Sequence, residues 1–565
     1  MKVVCIGASA CGPRAASRFA RAVDNADVTI IEKRSYITPA TCGLPYLIAS
    51  DRVPLLTMTP VGVERTPMWL KKAKMVDTLM EHEVVSIDRQ NMKLQVKNLK
   101  EGNVFEMDYD KLVIATGSRP FVPPIEGADL KGVHVVKGYE EAHPLVEHLK
   151  SVPEEEKETY PVVVVGAGLI GMEMASEFYE MGFRNITIVE GMDQILTMMD
   201  KDMELLVRRH VKSKGVKIHL NTFCKGFEGE DGVVKRIKLG EENTIDASLV
   251  IMSVGVRPND AIAKECGITC HAKGGILVDE FCRTSDPNIY AGGDVALVTN
   301  IITGEQVYAP LGSVSNRAGH VIGSHLTGQD EKMTGVLGSA VCKVFDFCCC
   351  RTGLSEKEAE RRGVAYTVVL SPGPDRVWFM KGMKPLFTKL IVENESRMLI
   401  GFSTVGPSSN GVKHVDVAVM AMTMKATIDQ VAMADFCYSP PFSKAMDNLA
   451  VACNIAKNIL ENRVKVVRNL EVKKMLDEEK DFVFLDVRTP GERKMMRIPQ
   501  ADHIILGQLH TRHEELPRDK PIIIFCKVSA RAYQAQTMLR RYGFDNVIVM
   551  MGGILMWPFE IKRGE

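Results

Sequence analysis

Two stretches of the chain repeat one pattern of apolar and polar positions. Val3-Val4-Cys5-Ile6 is a continuous apolar run ending at Gly7-Ala8-Ser9-Ala10-Cys11-Gly12; a helical period follows, then Val28-Thr29-Ile30-Ile31-Glu32. Val162-Val163-Val164-Val165 ends at Gly166-Ala167-Gly168-Leu169-Ile170-Gly171 and is followed by Ile186-Thr187-Ile188-Val189-Glu190. A short apolar run bounded by glycine predicts a strand buried on both faces. Each stretch thus predicts strand, glycine turn, helix and a second strand ending in an acid, which is the order of a nucleotide-binding βαβ unit. Polar Pro153-Glu154-Glu155-Glu156-Lys157-Glu158 reads as a linker ahead of the second unit. Strands and helices mix farther on, and a short α/β unit closes the chain. Its predicted elements are strands 483–487 and 522–525 and a helix over 530–542.

The chemistry of the repeated pattern is specific. Gly7 and Gly12, and Gly166, Gly168 and Gly171, let backbone N–H groups approach a pyrophosphate at a helix N-terminus, while Glu32 and Glu190 bind ribose hydroxyls. Ser9 stands where the first unit's second glycine is usual, and is small enough for the site to survive. Glu190, with no arginine beside it, favours NADH over NADPH. The 565 residues suggest about three to five domains. Lys+Arg and Asp+Glu both number 71, so neither nucleic acid nor an anionic membrane is an expected partner. No run approaches about 18 apolar residues, and the N-terminal run stops too soon for a signal-peptide core. The 14 cysteines match neither a secreted disulfide framework nor a zinc site, so a reducing cytoplasm and no metal are expected. Cys348-Cys349-Cys350 predicts a buried apolar stretch.

Leu112-Val113-Ile114-Ala115-Thr116-Gly117-Ser118-Arg119-Pro120 resembles the strand and turn that recross between the domains of two-dinucleotide flavin disulfide reductases. Ile289-Tyr290-Ala291-Gly292-Gly293-Asp294 resembles their second flavin motif, whose aspartate contacts the ribityl chain. The resemblance implies FAD in the outer unit and NAD(P)H in the inserted one. Thr116, Gly117, Asp294 and Gly255 join the expected cofactor-binding residues.

Pro39-Ala40-Thr41-Cys42-Gly43-Leu44-Pro45, with Thr38 before it, is similar to the single-cysteine motif of coenzyme A-disulfide reductases. Leu47 stands where two-cysteine reductases carry the second thiol, so Cys42 must cycle through a mixed disulfide, persulfide or sulfenic acid. A helix N-terminus is expected to lower its pKa. The resemblance implies that Arg18 and Arg21 lie near coenzyme A phosphates. It also implies that Tyr438, in Tyr438-Ser439-Pro440-Pro441-Phe442-Ser443, reaches across a dimer as general acid. The family's second tyrosine has no counterpart; Val377-Trp378-Phe379-Met380 stands there instead.

The last hundred or so residues resemble a rhodanese domain. Leu485-Asp486-Val487-Arg488-Thr489-Pro490-Gly491-Glu492 is like its first motif, and Phe525-Cys526-Lys527-Val528-Ser529-Ala530-Arg531 is like its active-site loop. Met551-Gly552-Gly553-Ile554 through Trp557 is like its closing segment. Lys527 and Arg531 add positive charge that favours a thiolate or persulfide at Cys526.

The expected fold class is therefore α/β: two Rossmann-like FAD- and NAD-binding domains of the disulfide reductase type, an α+β dimerisation domain and a C-terminal α/β rhodanese domain. The expected boundaries are 1–155 with 285–332 for FAD, 156–284 for NAD(P)H, 333–462 for dimerisation and 466–565 for rhodanese. The expected activity is NAD(P)H-dependent reduction of coenzyme A disulfide, coenzyme A persulfide or polysulfide by a homodimer. Two alternatives stay open: an NADH oxidase or peroxidase using a sulfenic acid, and a flavin redox sensor that docks a sulfur carrier.

Overall fold

The computed structural model describes every residue except Thr38, Glu241, Glu242 and Glu565, so the first residue of the Cys42 segment lies outside the described residues. The chain divides into two compact units, Met1–Asp193 with Val216–Val336 and Gln194–Gly215 with Leu337–Glu565.

The first unit holds two parallel five-stranded sheets. In one, the strand order is Ile289–Ala291, Lys111–Ile114, Lys2–Ile6, Asp27–Glu32, Asp77–Met80. In the other it is Lys217–His219, Ile186–Val189, Val162–Val165, Leu249–Met252, Val133–Val135. The apolar runs sit at the centre of each sheet, and Val3, Val4, Cys5 and Val162–Val165 are buried, as both-faced strands require. Each sheet is accompanied by a three-stranded antiparallel meander, over residues 82–108 and 226–246. The repetition seen in the sequence is therefore repeated in topology. Ser118–Pro120 pairs antiparallel with Val256–Pro258, a two-stranded ribbon next to both glycine-marked crossings, Gly117 and Gly255.

The second unit holds an antiparallel sheet, in order Ala340–Val344, Phe347–Gly353, Leu399–Gly406, Pro385–Glu393, Tyr366–Pro374, against which helices Asn410–Thr423 and Asn448–Leu460 pack. It also holds a parallel sheet in order Val466–Val467, Val547–Met550, Ile522–Phe525, Val483–Asp486, Asp502–His503. Strand 483 stops at Asp486, one residue short of the expected end, because the Asp486 carboxylate accepts the Arg488 N–H and turns the chain. The helix after Cys526 runs Ala530–Arg541. The acidic linker contains one 3₁₀ turn, Glu154–Glu156. Of the three consecutive cysteines, Cys349 and Cys350 are buried and Cys348 is half-buried, so the expected buried run holds for two of them.

Candidate functional site

The two glycine turns have the same geometry. Gly7 and Gly166 have φ of 107° and 98°, a region that favours glycine. A Cβ on Gly12 would lie 2.1 Å from the Gly7 carbonyl oxygen, and one on Gly171 2.0 Å from that of Gly166, so each helix starts tight against its turn. The Glu32 carboxylate accepts the N–H groups of Ala8 at 2.7 Å and Arg34 at 3.1 Å. Glu190 repeats this with Ala167 at 2.7 Å and Met192 at 2.9 Å. A Cβ on Gly168 would meet nothing within 4 Å, which leaves the mouth of the second turn open to a phosphate. The tight glycine turn ahead of a helix and the acid at the strand end fit a dinucleotide at each turn, and the open face of Gly168 adds to the fit at the second.

The other expected cofactor residues gather at the crossing. The Thr116 hydroxyl donates to the Asn259 carbonyl at 2.8 Å, and Gly117 and Gly255 both have positive φ with open space at the Cβ position. Asp294 accepts the hydroxyls of Ser118 at 2.9 Å and Ser315 at 3.3 Å, and Lys137 donates to Ser118 at 3.0 Å. Ser118 lies in the recrossing segment that the sequence marks, whereas Lys137 carries no motif and the sequence did not single it out.

Cys42 lies in a 3₁₀ turn, Thr41–Gly43, just ahead of the helix Leu44–Ala49, and not in that helix's first turn. A Cβ on Gly312 would sit 3.4 Å from its sulfur, so the glycine start of helix Gly312–His325 leaves room at the thiol. The side chain is exposed in the isolated chain. The expected lowered pKa is corrected here. Withdrawal of the sulfur from water, then the carboxylates of Asp294 and Glu173, push the thiol above its ordinary value, and Lys137 only partly opposes them. Tyr46 donates to Glu173 at 3.0 Å, and burial raises the Glu173 carboxyl. Glu173 follows the third glycine of the second turn by two positions, a spacing that could have flagged it.

Arg18 is half-buried and held by its own chain: it donates to Ser324, to Gln329 at 3.0 Å and to Glu331 at 3.1 Å. Arg21 is exposed, as is Arg14, which lies 3.4 Å from the His320 ring.

In the second unit, Tyr438 is 51% exposed and lines a cleft of about 390 Å³ with Arg376, Asn410, Lys413 and Cys437. Trp378 and Phe379 are 74% and 62% exposed, a large bare apolar surface in this sheet-and-helix layer.

Cys526 ends strand Ile522–Phe525 and is fully buried. Its loop turns through Ser529, whose φ is 76° and whose hydroxyl donates to the Met550 carbonyl at 2.9 Å. The Ile554 N–H donates to the Cys526 carbonyl at 2.9 Å, so the closing segment clamps the loop. Arg531 makes a two-pronged pair with Glu492 at 2.7 and 2.6 Å, which sets its guanidinium near Cys526. This pairing holds Glu492 at about 2, well under the usual carboxylate range. Lys527 is exposed. Beneath the loop, Arg488 is buried with Asp486, its guanidinium donating at 2.7 to 3.2 Å.

Among the described residues, no group of acidic, histidine and cysteine side chains is placed to hold a metal, and no helix is long and apolar enough to cross a membrane. The pyridine nucleotide-disulphide oxidoreductase family matches residues 1–319, both glycine turns included. The chain belongs to that family. The family's dimerisation domain matches residues 339–450, and the rhodanese-like domain matches 469–558. Relatives include the NADH oxidase of Methanocaldococcus jannaschii, 33% identical over 82% of this chain and 100% of the relative. The NAD(P)H coenzyme A polysulfide/persulfide reductase of Pyrococcus horikoshii is 32% identical over 81% of this chain and 98% of its own. Among solved structures, an NAD-dependent persulfide reductase from A. fulgidus superposes with a TM-score of 0.92, at 35% identity over 99% of this chain and 100% of that one. The reduced CoADR-RHD of Bacillus anthracis gives 0.89, at 29% identity over 98% and 97%. The fold class expected from the sequence, with its FAD and NAD(P)H domains, dimerisation domain and rhodanese domain, is the one observed.

Proposed function

We propose that this chain is a homodimeric, cytoplasmic NAD(P)H-dependent reductase of coenzyme A disulfide, coenzyme A persulfide or polysulfide, acting through Cys42 and fed with sulfane sulfur by Cys526. The observation that carries this reading is the pairing in one chain of an exposed thiol, Cys42, in a single-cysteine motif with a second thiol, Cys526, held in a clamped loop beside Arg531. FAD, when bound, accepts two electrons from NAD(P)H and delivers them to a disulfide sulfur. The chain's own residues bind and orient. Gly7, Gly12 and Glu32 hold one dinucleotide; Gly166, Gly168, Gly171 and Glu190 hold the other. Cys42 forms a mixed disulfide with the substrate, which no neighbouring cysteine of its motif resolves, and Tyr438 of the partner subunit, reaching across the dimer, donates the proton to the departing thiolate. Arg21 is exposed and open to coenzyme A phosphates, and Arg18 joins it only on release from Glu331. Arg531 stabilises negative charge at Cys526.

The test is anaerobic NADH oxidation with coenzyme A disulfide, coenzyme A persulfide, polysulfide and no acceptor, with sulfide assayed. Turnover with sulfide release is expected. Turnover with coenzyme A disulfide alone would leave a thiol-recycling enzyme. The Methanocaldococcus relative, named an NADH oxidase, gives the second reading its footing. Turnover only on admission of oxygen would establish that one.

A further inference from the structure

Three consecutive cysteines on a strand cannot all face one way. Side chains alternate along a strand, so Cys348 and Cys350, both within strand Phe347–Gly353, share a face and Cys349 takes the other. The sulfurs of Cys348 and Cys350 are 3.3 Å apart. Their surroundings differ. Across the sheet from Cys350 lie Thr404 and Val341, and the sulfur is buried where helix Asn410–Thr423 covers this face: a Cβ on Gly411 would fall 2.5 Å from the Thr404 hydroxyl. Across from Cys348 lie Gly406, which has no side chain, and Lys343 on the edge strand Ala340–Val344. Cys348 is half-buried, with a cation as its neighbour on the edge strand.

We infer that Cys348 and Cys350 are a second redox site, a dithiol that small-molecule disulfides convert reversibly to an intrastrand disulfide. This inference does not rest on the reaction proposed for Cys42. The Cys348 thiolate attacks one sulfur of the small disulfide, forming a mixed disulfide and releasing the first small thiolate. Cys350 then gives up its proton and attacks the Cys348 sulfur, expelling the second. In balance, two protein thiols and one disulfide yield one protein disulfide and two small thiols, and the thiol protons go to the departing thiolates. The division of labour follows from the pair itself. The two sulfurs share a hydrogen bond in which either can donate, but Cys348 is half-buried and within reach of a small disulfide, whereas Cys350 is buried. Cys348 is therefore the attacking sulfur and Cys350 the resolving one.

Strand geometry makes the bond a reversible one. Two residues along a strand are separated by about 6.7 Å at Cα, near the upper end of what a disulfide spans, roughly 6.8 Å. A bond closed at that limit is strained, and strained disulfides have high potentials and are readily reduced. A structural disulfide would not be built this way; a redox-responsive one would.

The experiment uses the full-length flavoprotein without NADH, equilibrated in glutathione buffers of rising oxidised-to-reduced ratio, then alkylated and digested with trypsin. Cleavage after Lys343 and Arg351 gives one peptide, residues 344–351, with all three cysteines. The expected result is a peptide lighter by two hydrogens, bonded between 348 and 350, which grows with the ratio and disappears on adding dithiothreitol. Cys350→Ser is expected to accumulate glutathione on Cys348, and Cys348→Ser to leave Cys350 reduced. Three outcomes would overturn the proposal: both cysteines alkylated at every ratio, a glutathione adduct on wild-type Cys348 that never closes, or a bond that survives in Cys350→Ser. The wild-type measurement stands even if a variant folds poorly.

Discussion

At the scale of single residues, the decisive facts about Cys42 lie in carboxylates remote from it in sequence. Its motif is local and legible, and so is the missing partner at Leu47. Its electrostatics were not, because Asp294 and Glu173 arrive from other elements and outweigh Lys137. The thiolate is the reacting form, so a raised thiol value means a smaller reactive fraction at neutral pH. Removing one of the opposing charges reverses part of that. In the flavin-free protein, Glu173→Gln is expected to speed alkylation of Cys42 by iodoacetamide at pH 7 by about threefold, because the carboxylate that helps to raise the thiol is gone. A rate equal to or below that of the parent would show that Glu173 does not set the thiol's charge. Arg18 gives the same lesson. Its place on the first helix is read easily, but its acceptors Gln329 and Glu331 lie at the far end of the unit's sequence and no spacing rule reaches them.

At the scale of elements, strands buried on both faces were the easiest to read, since Val162–Val165 and Ile522–Phe525 are unbroken apolar runs closed by a turn. Ion pairs between elements were not readable. Glu492 was visible as the end of a motif, yet its role comes from Arg531 on a different helix. The sign of its pH dependence follows. A carboxylate held at about 2 against an ordinary 4.5 adds stability that is fully present above 4.5 and lost as pH falls towards 2. The melting temperature of the C-terminal domain should therefore fall between those values more steeply than in Glu492→Gln. Parallel curves would mean that the pair does not contribute. A larger effect belongs to Lys389, a buried residue in the antiparallel sheet. Its ammonium meets Asp202 at 2.7 Å and Asp200 at 3.1 Å, and also Glu356, which Arg468 pairs from the other side. Burial opposes the charge, but the three carboxylates outweigh it and raise the lysine above its ordinary value. Lys389→Met leaves those carboxylates short of a cation and is expected to destabilise the protein by about 3–5 kcal/mol. A denaturation midpoint within error of the parent would refute this.

At the scale of the whole molecule, two sulfur chemistries share one chain. The curated relatives match about four-fifths of it, while the persulfide reductase structure matches 99%. Cys42 belongs to the part matched by the oxidoreductase family and Cys526 to the part matched by the rhodanese family. The two thiols differ in their surroundings: Cys42 is exposed and raised by partial burial of its sulfur and by the carboxylates of Asp294 and Glu173, whereas Cys526 is buried with Arg531 near it. An arginine stabilises the anion formed when a sulfane sulfur is taken up, whereas an accessible thiol suits exchange with a disulfide brought to it. The halves of the reaction should then separate cleanly by mutation. Cys526→Ala is expected to oxidise NADH with coenzyme A disulfide at the parent rate, while sulfide release from thiosulfate falls to background. Cys42→Ser should do the reverse, losing NADH oxidation while still passing sulfur from thiosulfate to cyanide. If Cys526→Ala left sulfide release from every sulfane donor unchanged, the two domains would be running unconnected reactions, and the relay between them would have to be abandoned.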